Sequence, residues 1–376
     1  MKHTLSIAIV GAGMGGLTAA AALLRVGHQV TVYEQSRAFS AVGAGIQLTA
    51  NATRALRPFG LVEGLRDSSF FADAAYNREW DTGKITNILP LGKPLEERYG
   101  EPDLMMHRAS LHSALLSLVP AANLRLGAKL TGLDRTAGGT TLVFADGSRV
   151  RADAVIAADG IHSVVREILF GAEKPQFTGR VAYRTTYPVS LLKGAPIDGR
   201  CKWWGPNSHI VHYYTTHAHD EVYFIAVTPE PDFAVESWSA RGDRDMLLAA
   251  YDGYHPTALA ILGASPDIRK WALVERDPMP VWGEDGITLL GDACHPMMPF
   301  MAQGAASAIE DAVVLARCLQ GVEREEVPAA LRRYESNRRE RTARIQLTNR
   351  QNTWLKQKTD TDWVYEYDAW TVPLAG

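Results

Sequence analysis

Apolar residues run unbroken from Leu5 to Val10 apart from Ser6, and the run ends in glycines at positions 11, 13, 15 and 16. A short run with apolar side chains on both faces predicts a buried parallel strand. Ala and Leu dominate residues 17–25, which predicts a helix with Gly27 as its stop, and residues 28–34 return to a strand pattern. Together they form a strand–helix–strand unit of about thirty residues, long enough for a right-handed crossover. Residues 51–60 predict a helix capped by Thr49 or Asn51 and stopped by Gly60, and residues 106–118 an amphipathic helix stopped by Pro120. From 123 to 155 the pattern shortens to alternating strands, with turn signals at Gly138-Gly139 and Asp146-Gly147, and 151–158 predicts a buried strand. Residues 176–276 are rich in β-branched and aromatic side chains, with turns near Gly205-Pro206 and Pro229-Glu230-Pro231-Asp232, which predicts an antiparallel sheet. A strand at 287–290, a helix at 304–319 and a long charged helix at 331–354 complete the pattern.

This order predicts an α/β fold in which a nucleotide-binding domain is interrupted by an inserted antiparallel β-sheet and followed by a C-terminal helical segment. The expected division gives residues 1–72, 101–175 and 277–325 to the nucleotide-binding domain, 73–100 and 176–276 to the inserted substrate-binding sheet, and 326–376 to the helical segment. A hydrophobic fraction of 46% with 22% charged residues is that of an ordinary globular chain. The net charge of -3 leaves no footprint for nucleic acid. Arginines cluster between Arg332 and Arg341, but acidic residues are interleaved, so a solvated helix face is expected. Cys201, Cys294 and Cys318 match no zinc spacing and are expected as small buried hydrophobes in a reducing, cytoplasmic setting, with no metal. The N-terminal apolar run is broken by glycines, which fits a strand and turn better than a leader peptide. No stretch approaches the ~20 apolar residues of a membrane span.

The glycine spacing carries chemistry. Gly11 permits a tight turn after the strand, Gly13 lets backbone approach a pyrophosphate, and Gly16 lets helix and strand pack closely. The helix N-terminus then favours an anion. Glu34 ends the second strand, where a carboxylate accepts ribose hydroxyls and repels a 2′-phosphate. This fingerprint alone does not separate NAD from FAD.

Two further segments decide between them. Asp159-Gly160-Ile161-His162-Ser163-Val164-Val165-Arg166 matches D-G-x-x-S-x-x-R, and Gly291-Asp292-Ala293-Cys294-His295-Pro296 matches G-D-A-x-H-P. With the first motif, they make the chain resemble, over nearly its whole length, the single-component flavoprotein aromatic hydroxylases, the group containing p-hydroxybenzoate and salicylate hydroxylases. The resemblance implies a p-hydroxybenzoate hydroxylase-like fold with a Rossmann-like FAD-binding domain. It implies tight, non-covalent FAD, NADH as a transient reductant, and O2 as co-substrate. No second G-x-G-x-x-G is present, which agrees with a reductant that docks only transiently. The reaction implied is hydroxylation of a hydroxylated aromatic or pyridine carboxylate through a flavin C4a-hydroperoxide, with loss of CO2 in some members. The alternatives are a salicylate hydroxylase-like or other substrate, an epoxidase on the same fold, or an FAD-binding protein without catalysis. The expected partner is a small aromatic or N-heteroaromatic acid, with no nucleic acid and no membrane, and the protein is expected as a monomer or homodimer.

Site residues follow from the same resemblance. Gly11, Gly13, Met14, Gly15, Gly16, Glu34, Gln35 and Gly45 are the expected cofactor contacts at the nucleotide end. Arg108 is expected to reach the phosphates, and Asp292 the ribityl chain. Pro296 and Pro299 stiffen a loop facing the flavin ring. Gly304-Ala305 opens a helix whose N–H groups stabilise negative charge on the ring. Asp159 is expected among the cofactor-binding residues, Asp159 and Arg166 as structural and electrostatic supports rather than catalytic groups, and His295 as a packing residue beside the flavin.

For the substrate, further shared stretches are Lys202-Trp203-Trp204, His209 with Tyr213-Tyr214-Thr215-Thr216, Gly253-Tyr254-His255-Pro256-Thr257, Asn352-Thr353-Trp354-Leu355 and Trp363-Val364-Tyr365. They resemble the pyridine-acid members most. Gln47 and Phe300 stand where those members carry histidine, and Cys201 is offset from their cysteine. Read from the residues alone, His209 fits a turn cap and Tyr213 sheet core. The resemblance selects them as catalytic candidates, with His209 as proton acceptor and Gln47 orienting a hydroxyl or carboxylate. In a strand, His209, Val211 and Tyr213 share one face and His212 and Tyr214 the other, so the latter two are expected to be structural. Trp203, Trp204, Tyr183 and Met301 are expected as apolar walls.

Overall fold

The first apolar run is buried between two parallel neighbours. In the computed structural model, which describes residues 4–39, 44–136, 138–233, 240–356 and 359–376, Ser6–Val10 pairs with Gln29–Glu34 on one side and Ala154–Ala157 on the other. Among the described residues this sheet has six strands, in the order Gly283–Glu284, Ile287–Leu289, Ala154–Ala157, Ser6–Val10, Gln29–Glu34, Leu124–Leu126. The helix Met14–Arg25 crosses between the first two strands in sequence and packs on the helix Gly304–Leu319. Residues 40–43 lie outside the described residues.

Two predicted elements divide. Residues 106–118 begin as the strand Leu104–His107, paired with Gly45–Leu48, and only then become the helix Arg108–Ser117. His107 caps that helix, its Nδ1 accepting from the Ala109 amide at 3.2 Å. Residues 151–158 break at Asp153 into Arg149–Ala152, in a three-stranded sheet, and Ala154–Ala157, in the six-stranded one. The Asp153 carboxylate accepts from the Ser6 amide at 2.8 Å, fixing the switch between sheets. The long helix runs Val327–Arg350, earlier at both ends than predicted.

The second large sheet has eight described strands, ordered Ala240–Arg241, Arg269–Glu275, Gln176–Pro188, Glu221–Pro229, His209–Tyr214, Arg200–Trp204, Ala74–Glu79, Ile85–Pro90. It is antiparallel except at one place. Arg200–Trp204 runs parallel to Ala74–Glu79, because the latter arrives from a separate chain segment rather than through a hairpin. One face of this sheet packs on Pro256–Ala264 and Arg244–Ala250, and the other looks toward the nucleotide-type sheet.

The basic cluster at 332–341 is not a solvated face throughout. Arg338 is fully buried and pairs with Asp311 and Glu310, each at 2.7 Å, while Arg341 pairs with Glu310 at 2.9 Å. Burial opposes ionisation of both carboxyls. Arg341 and Arg338 overcome it for Glu310, and His295 and Arg338 for Asp311, so both are held below the usual carboxylate range. Sequence pattern missed this because the partners sit on another helix.

Arg338→Ala is expected to leave two buried carboxylates short of a cation and to cost about 3–5 kcal/mol of stability at neutral pH. Because the carboxyl values are lowered, the stability they contribute is complete above the unfolded carboxylate pKa and is lost as pH falls through the folded values. Denaturant unfolding of wild type and variant at two pH values measures both effects. A loss under 1 kcal/mol at neutral pH would show the network is dispensable.

Candidate functional site

The two large sheets enclose one cavity of about 850 Å³. Its outer end is built by the glycine turn. Gly11 has φ +100°, and a Cβ there would lie 2.3 Å from the Ala158 carbonyl oxygen, so the turn presses directly on the second motif. A Cβ at Gly16 would lie 2.0 Å from the Gly11 carbonyl oxygen. Gly13, by contrast, has nothing within 4 Å of its Cβ position, and it caps the helix Met14–Arg25 without a side-chain hydrogen bond. The helix N-terminus therefore opens into the cavity with amides available to an anion. Gly11, Gly13, Met14, Gly15, Glu34, Gln35, Gly45, Arg108, Asp159, Asp292, Pro299, Gly304 and Ala305 all line the cavity; Gly16 does not and serves packing.

These residues fit FAD. Glu34 accepts from the Ala12 and Ser36 amides at 2.9 and 2.8 Å, which fixes its carboxylate at the cavity edge with lone pairs left for ribose hydroxyls. Arg108 lines the cavity, where burial lowers its pKa against the pull of Asp292, and a phosphate would complete its charge balance. Asp159 Oδ1 is buried without a partner, while its Oδ2 accepts from the Val165 amide at 3.2 Å. Gly304 and Ala305 begin a helix at the floor of the cavity, next to the loop of Pro296 and Pro299. Arg166 lies outside the cavity and donates to the Ala293 and Ile161 carbonyls, tying the second and third motifs together. His295 is also outside it. It packs on Trp282, and its Nε2 meets Asp311 at 2.5 Å, so it belongs to the buried ion network and not to the flavin's surroundings.

The inner end lies on the eight-stranded sheet. Pairing places Arg200 opposite Tyr213, Lys202 opposite Val211, and Trp204 opposite His209. His209, Val211 and Tyr213 line the cavity, while Ile210 packs with Cys201 and Trp203 behind the sheet. His212 shares that rear face; both its ring nitrogens lack partners, and burial pushes its pKa down to about 4. Of the four expected walls only Met301 lines the cavity. Trp203 and Tyr183 belong to the rear core, and Trp204 stacks under the Lys202 and Lys356 ammonium groups beside the cavity. Strand parity decides this for Trp203: Arg200 and Lys202 turn their side chains to the cavity, so the Trp203 side chain turns to the rear core.

Several contributors escaped sequence reasoning. Asp103 is 3% exposed and accepts both Gln47 Nε2 contacts, at 3.0 and 2.8 Å, while Arg200 donates to Gln47 Oε1 at 3.2 Å. Gln47 is thus held by both ends of its amide. Burial raises the Asp103 carboxyl to about 6, against the pull of Arg200 and Gln47. Burial, with Arg200 and Lys356 nearby, lowers Lys202 to about 7. Burial also lowers His209 well below its ordinary value, helped by Lys202 and Arg180, so its ring is neutral. Gly45 has a specific use: a Cβ there would lie 2.6 Å from the Tyr223 ring and 2.7 Å from Tyr213 Oη. The C-terminal segment closes the inner end with Trp354, Leu355 and Tyr365. Alternation within the Arg200–Trp204 strand was the available signal for Arg200 and Lys202. Asp103 sits in no pattern that could have marked it.

Residues 4–348 match the family described as "FAD binding domain". The chain is 42% identical over 376 residues to 6-hydroxynicotinate 3-monooxygenase of Bordetella bronchiseptica, covering 100% of this chain and 98% of that protein. It is 39% identical over 346 residues to a 3-amino-4-hydroxybenzoate 2-monooxygenase of Streptomyces platensis, covering 92% and 87%. Among solved structures, Klebsiella pneumoniae HpxO complexed with FAD and uric acid superposes with a TM-score of 0.83 at 27% identity, covering 95% of this chain and 90% of that one.

Two outcomes test the geometry. Glu34→Ala is expected to weaken FAD retention by about 1–3 kcal/mol, the value of a charged hydrogen-bond partner, read as the FAD dissociation constant. An unchanged constant would remove Glu34 from the ribose. For Asp103 the folded pKa is raised, so its contribution is fully present below the unfolded value and is lost as pH rises through about 6. Relative to Asp103→Asn, wild type should therefore lose roughly 1–3 kcal/mol of unfolding free energy between about pH 4 and pH 6.5. A pH-independent difference would contradict the buried carboxyl.

Proposed function

The chain belongs to the FAD-binding family of flavin aromatic hydroxylases, and we propose that it is an FAD-dependent, NADH-consuming monooxygenase of a ring bearing both a hydroxyl and a carboxylate. One observation carries the substrate class. The cavity runs from the open amides at Gly13 to an inner end where Arg200 and Lys202 face inward, while the nearby carboxylate, Asp103, stands behind Gln47. Two inward cations with no carboxylate between them among the described residues suit an anionic substrate. Ile225, Leu273, Met298, Phe300 and Trp354 supply the dry apolar walls that fit an aromatic or pyridine ring. That the relatives include monooxygenases named for 6-hydroxynicotinate and 3-amino-4-hydroxybenzoate supports the same class.

When bound, FAD would take up the electrons of NADH and with them activate O2, one atom of which goes to the ring and the other to water. The chain's own residues position and protect. Arg200 and Lys202 balance the substrate's charge, and His209 and Tyr213, on one face of their strand, meet the ring hydroxyl. Gln47 passes the Asp103 constraint to the cavity wall through its fixed amide. Glu34 holds the cofactor's ribose, Arg108 its phosphates and Asp292 its ribityl chain. The preference for NADH follows the resemblance. Three buried, unpaired cysteines suit a reducing compartment such as the cytoplasm.

The test is a panel of hydroxypyridine and hydroxybenzoate acids with the FAD-loaded enzyme. The expected result is stimulated NADH oxidation matched by a product that gains one oxygen atom, its mass also reporting whether CO2 leaves. Acid precipitation should release free FAD. No stimulation by any acid would overturn the substrate class, and a higher kcat/KM with NADPH would overturn the reductant.

A further inference from the structure

Lys202 reaches the cavity with its Nζ 3.7 Å from the centre of the Trp204 ring, and it forms no ion pair with a described residue. Its hydrogen-bond contact is to Asn352 Oδ1, at 3.4 Å. The other end of the same amide, Asn352 Nδ2, lies 3.4 Å from His209 Nδ1. Asn352 holds a left-handed backbone with φ 48°, and Asn77 anchors the following segment by donating to the Leu355 carbonyl at 2.7 Å.

These contacts fix hydrogens that the coordinates of heavy atoms leave open. Below its lowered value of about 7, Lys202 is an ammonium group, which only donates, so the atom of Asn352 facing it must be the amide oxygen. The amide NH2 then faces His209, and an NH2 only donates. His209 Nδ1 must therefore be the bare, accepting nitrogen. A neutral imidazole carries one hydrogen, which falls on Nε2. Among the described residues no group is paired with Nε2, and the ring lines the cavity between Phe300 and Trp204.

We infer that Lys202 and Asn352 are positioning residues that lock His209 as its Nε2–H tautomer, so that His209 donates a hydrogen bond to a substrate oxygen and is not the base that takes its proton. The inference rests on the proposed hydroxylase reading for the identity of that oxygen. A donor at this place favours a ring oxygen already present as an oxyanion or oxo group, which agrees with a cavity end rich in cations. It also revises the sequence-based expectation of His209 as proton acceptor.

The test uses full-length, FAD-loaded enzyme carrying 15N-labelled histidine at pH 6, below the lowered Lys202 value, with His209 assigned by its loss in His209→Gln. Wild type is expected to show a bare Nδ1 and a protonated Nε2. Asn352→Asp presents only acceptors, so Nδ1 should become protonated, and kcat/KM for the substrate found in the acid panel should fall about 10- to 100-fold, the range of a hydrogen bond to a charged group. Lys202→Met should release the amide and mix the tautomers; Lys202→Arg, again donor-only, should restore the wild-type signature. His209→Gln keeps an N–H donor and should retain more activity than His209→Ala at equal FAD occupancy, with His212→Ala near wild type per loaded enzyme. If Asn352→Asp does not fold, the Lys202 pair and the His209 pair decide. A wild-type Nδ1–H signature overturns the inference even where hydroxylation is confirmed. So does a His209→Gln as inactive as His209→Ala, which is the mark of a base. If no acid is hydroxylated, the proposed function fails while the tautomer signature still stands or falls alone.

Discussion

The pairing of Arg338 and Arg341 with Glu310 and Asp311 holds the site together. Asp311 also accepts from the Gly291 amide at 3.2 Å, so the loop that presents Asp292 hangs from it. Glu310 accepts from Asn51 Nδ2 at 2.6 Å, which ties in the helix that follows Gln47. Arg341 donates to the Trp363 and Val364 carbonyls at 2.7 and 2.9 Å, and so sets Tyr365 against the inner end. The helix Gly304–Leu319 and the segments that present Gln47, Asp292 and Tyr365 thus share one buried charge cluster. A cluster of this kind is a costly way to gain stability, since each ion loses its water. Its geometry is what the site uses: directional bonds fix the distance between a flavin-side helix and a substrate-side segment more tightly than apolar contact would.

The nucleotide half of the fold was legible because its demands fall on the backbone. A turn that must approach Ala158 to within contact distance admits only glycine, so Gly11 and Gly16 appear as letters in the sequence. The apolar runs at residues 5–10 and 287–290 were equally plain, since strands buried on both faces cannot be polar. The inner end was legible only in part. Parity sets His209 and Tyr213 apart from His212, and the resemblance selects between the two faces; the same alternation in the neighbouring strand turns Lys202 to the cavity and Trp203, expected as a wall, to the rear. Asp103, Asn352 and Arg338 could not be read, because each takes its meaning from a partner remote in sequence.

Gln47 shows what an amide does at this corner of the cavity. It cannot exchange a proton, and it is held by Asp103 and Arg200. The titratable group of that corner stands one step back from the cavity, a buried carboxyl whose ionisation is opposed by burial. Phe300 meets the His209 ring edge-on at 5.3 Å and contributes an apolar surface.

The parallel pairing of Ala74–Glu79 with Arg200–Trp204 also bears on how the chain reaches its folded state. Arg200–Trp204 gains one neighbour through a hairpin with His209–Tyr214, which is local and quick to form. Its other neighbour is remote in sequence, and closing that long loop is slow. Until that loop closes, one edge of the strand has unpaired backbone N–H and C=O groups, the kind of edge that joins a foreign strand. Arg200 and Lys202 lie on that edge, and like charges directly opposed resist pairing with a second copy. The two cations suited to an anionic substrate are thus also of the kind that keeps an open strand edge from pairing with another chain.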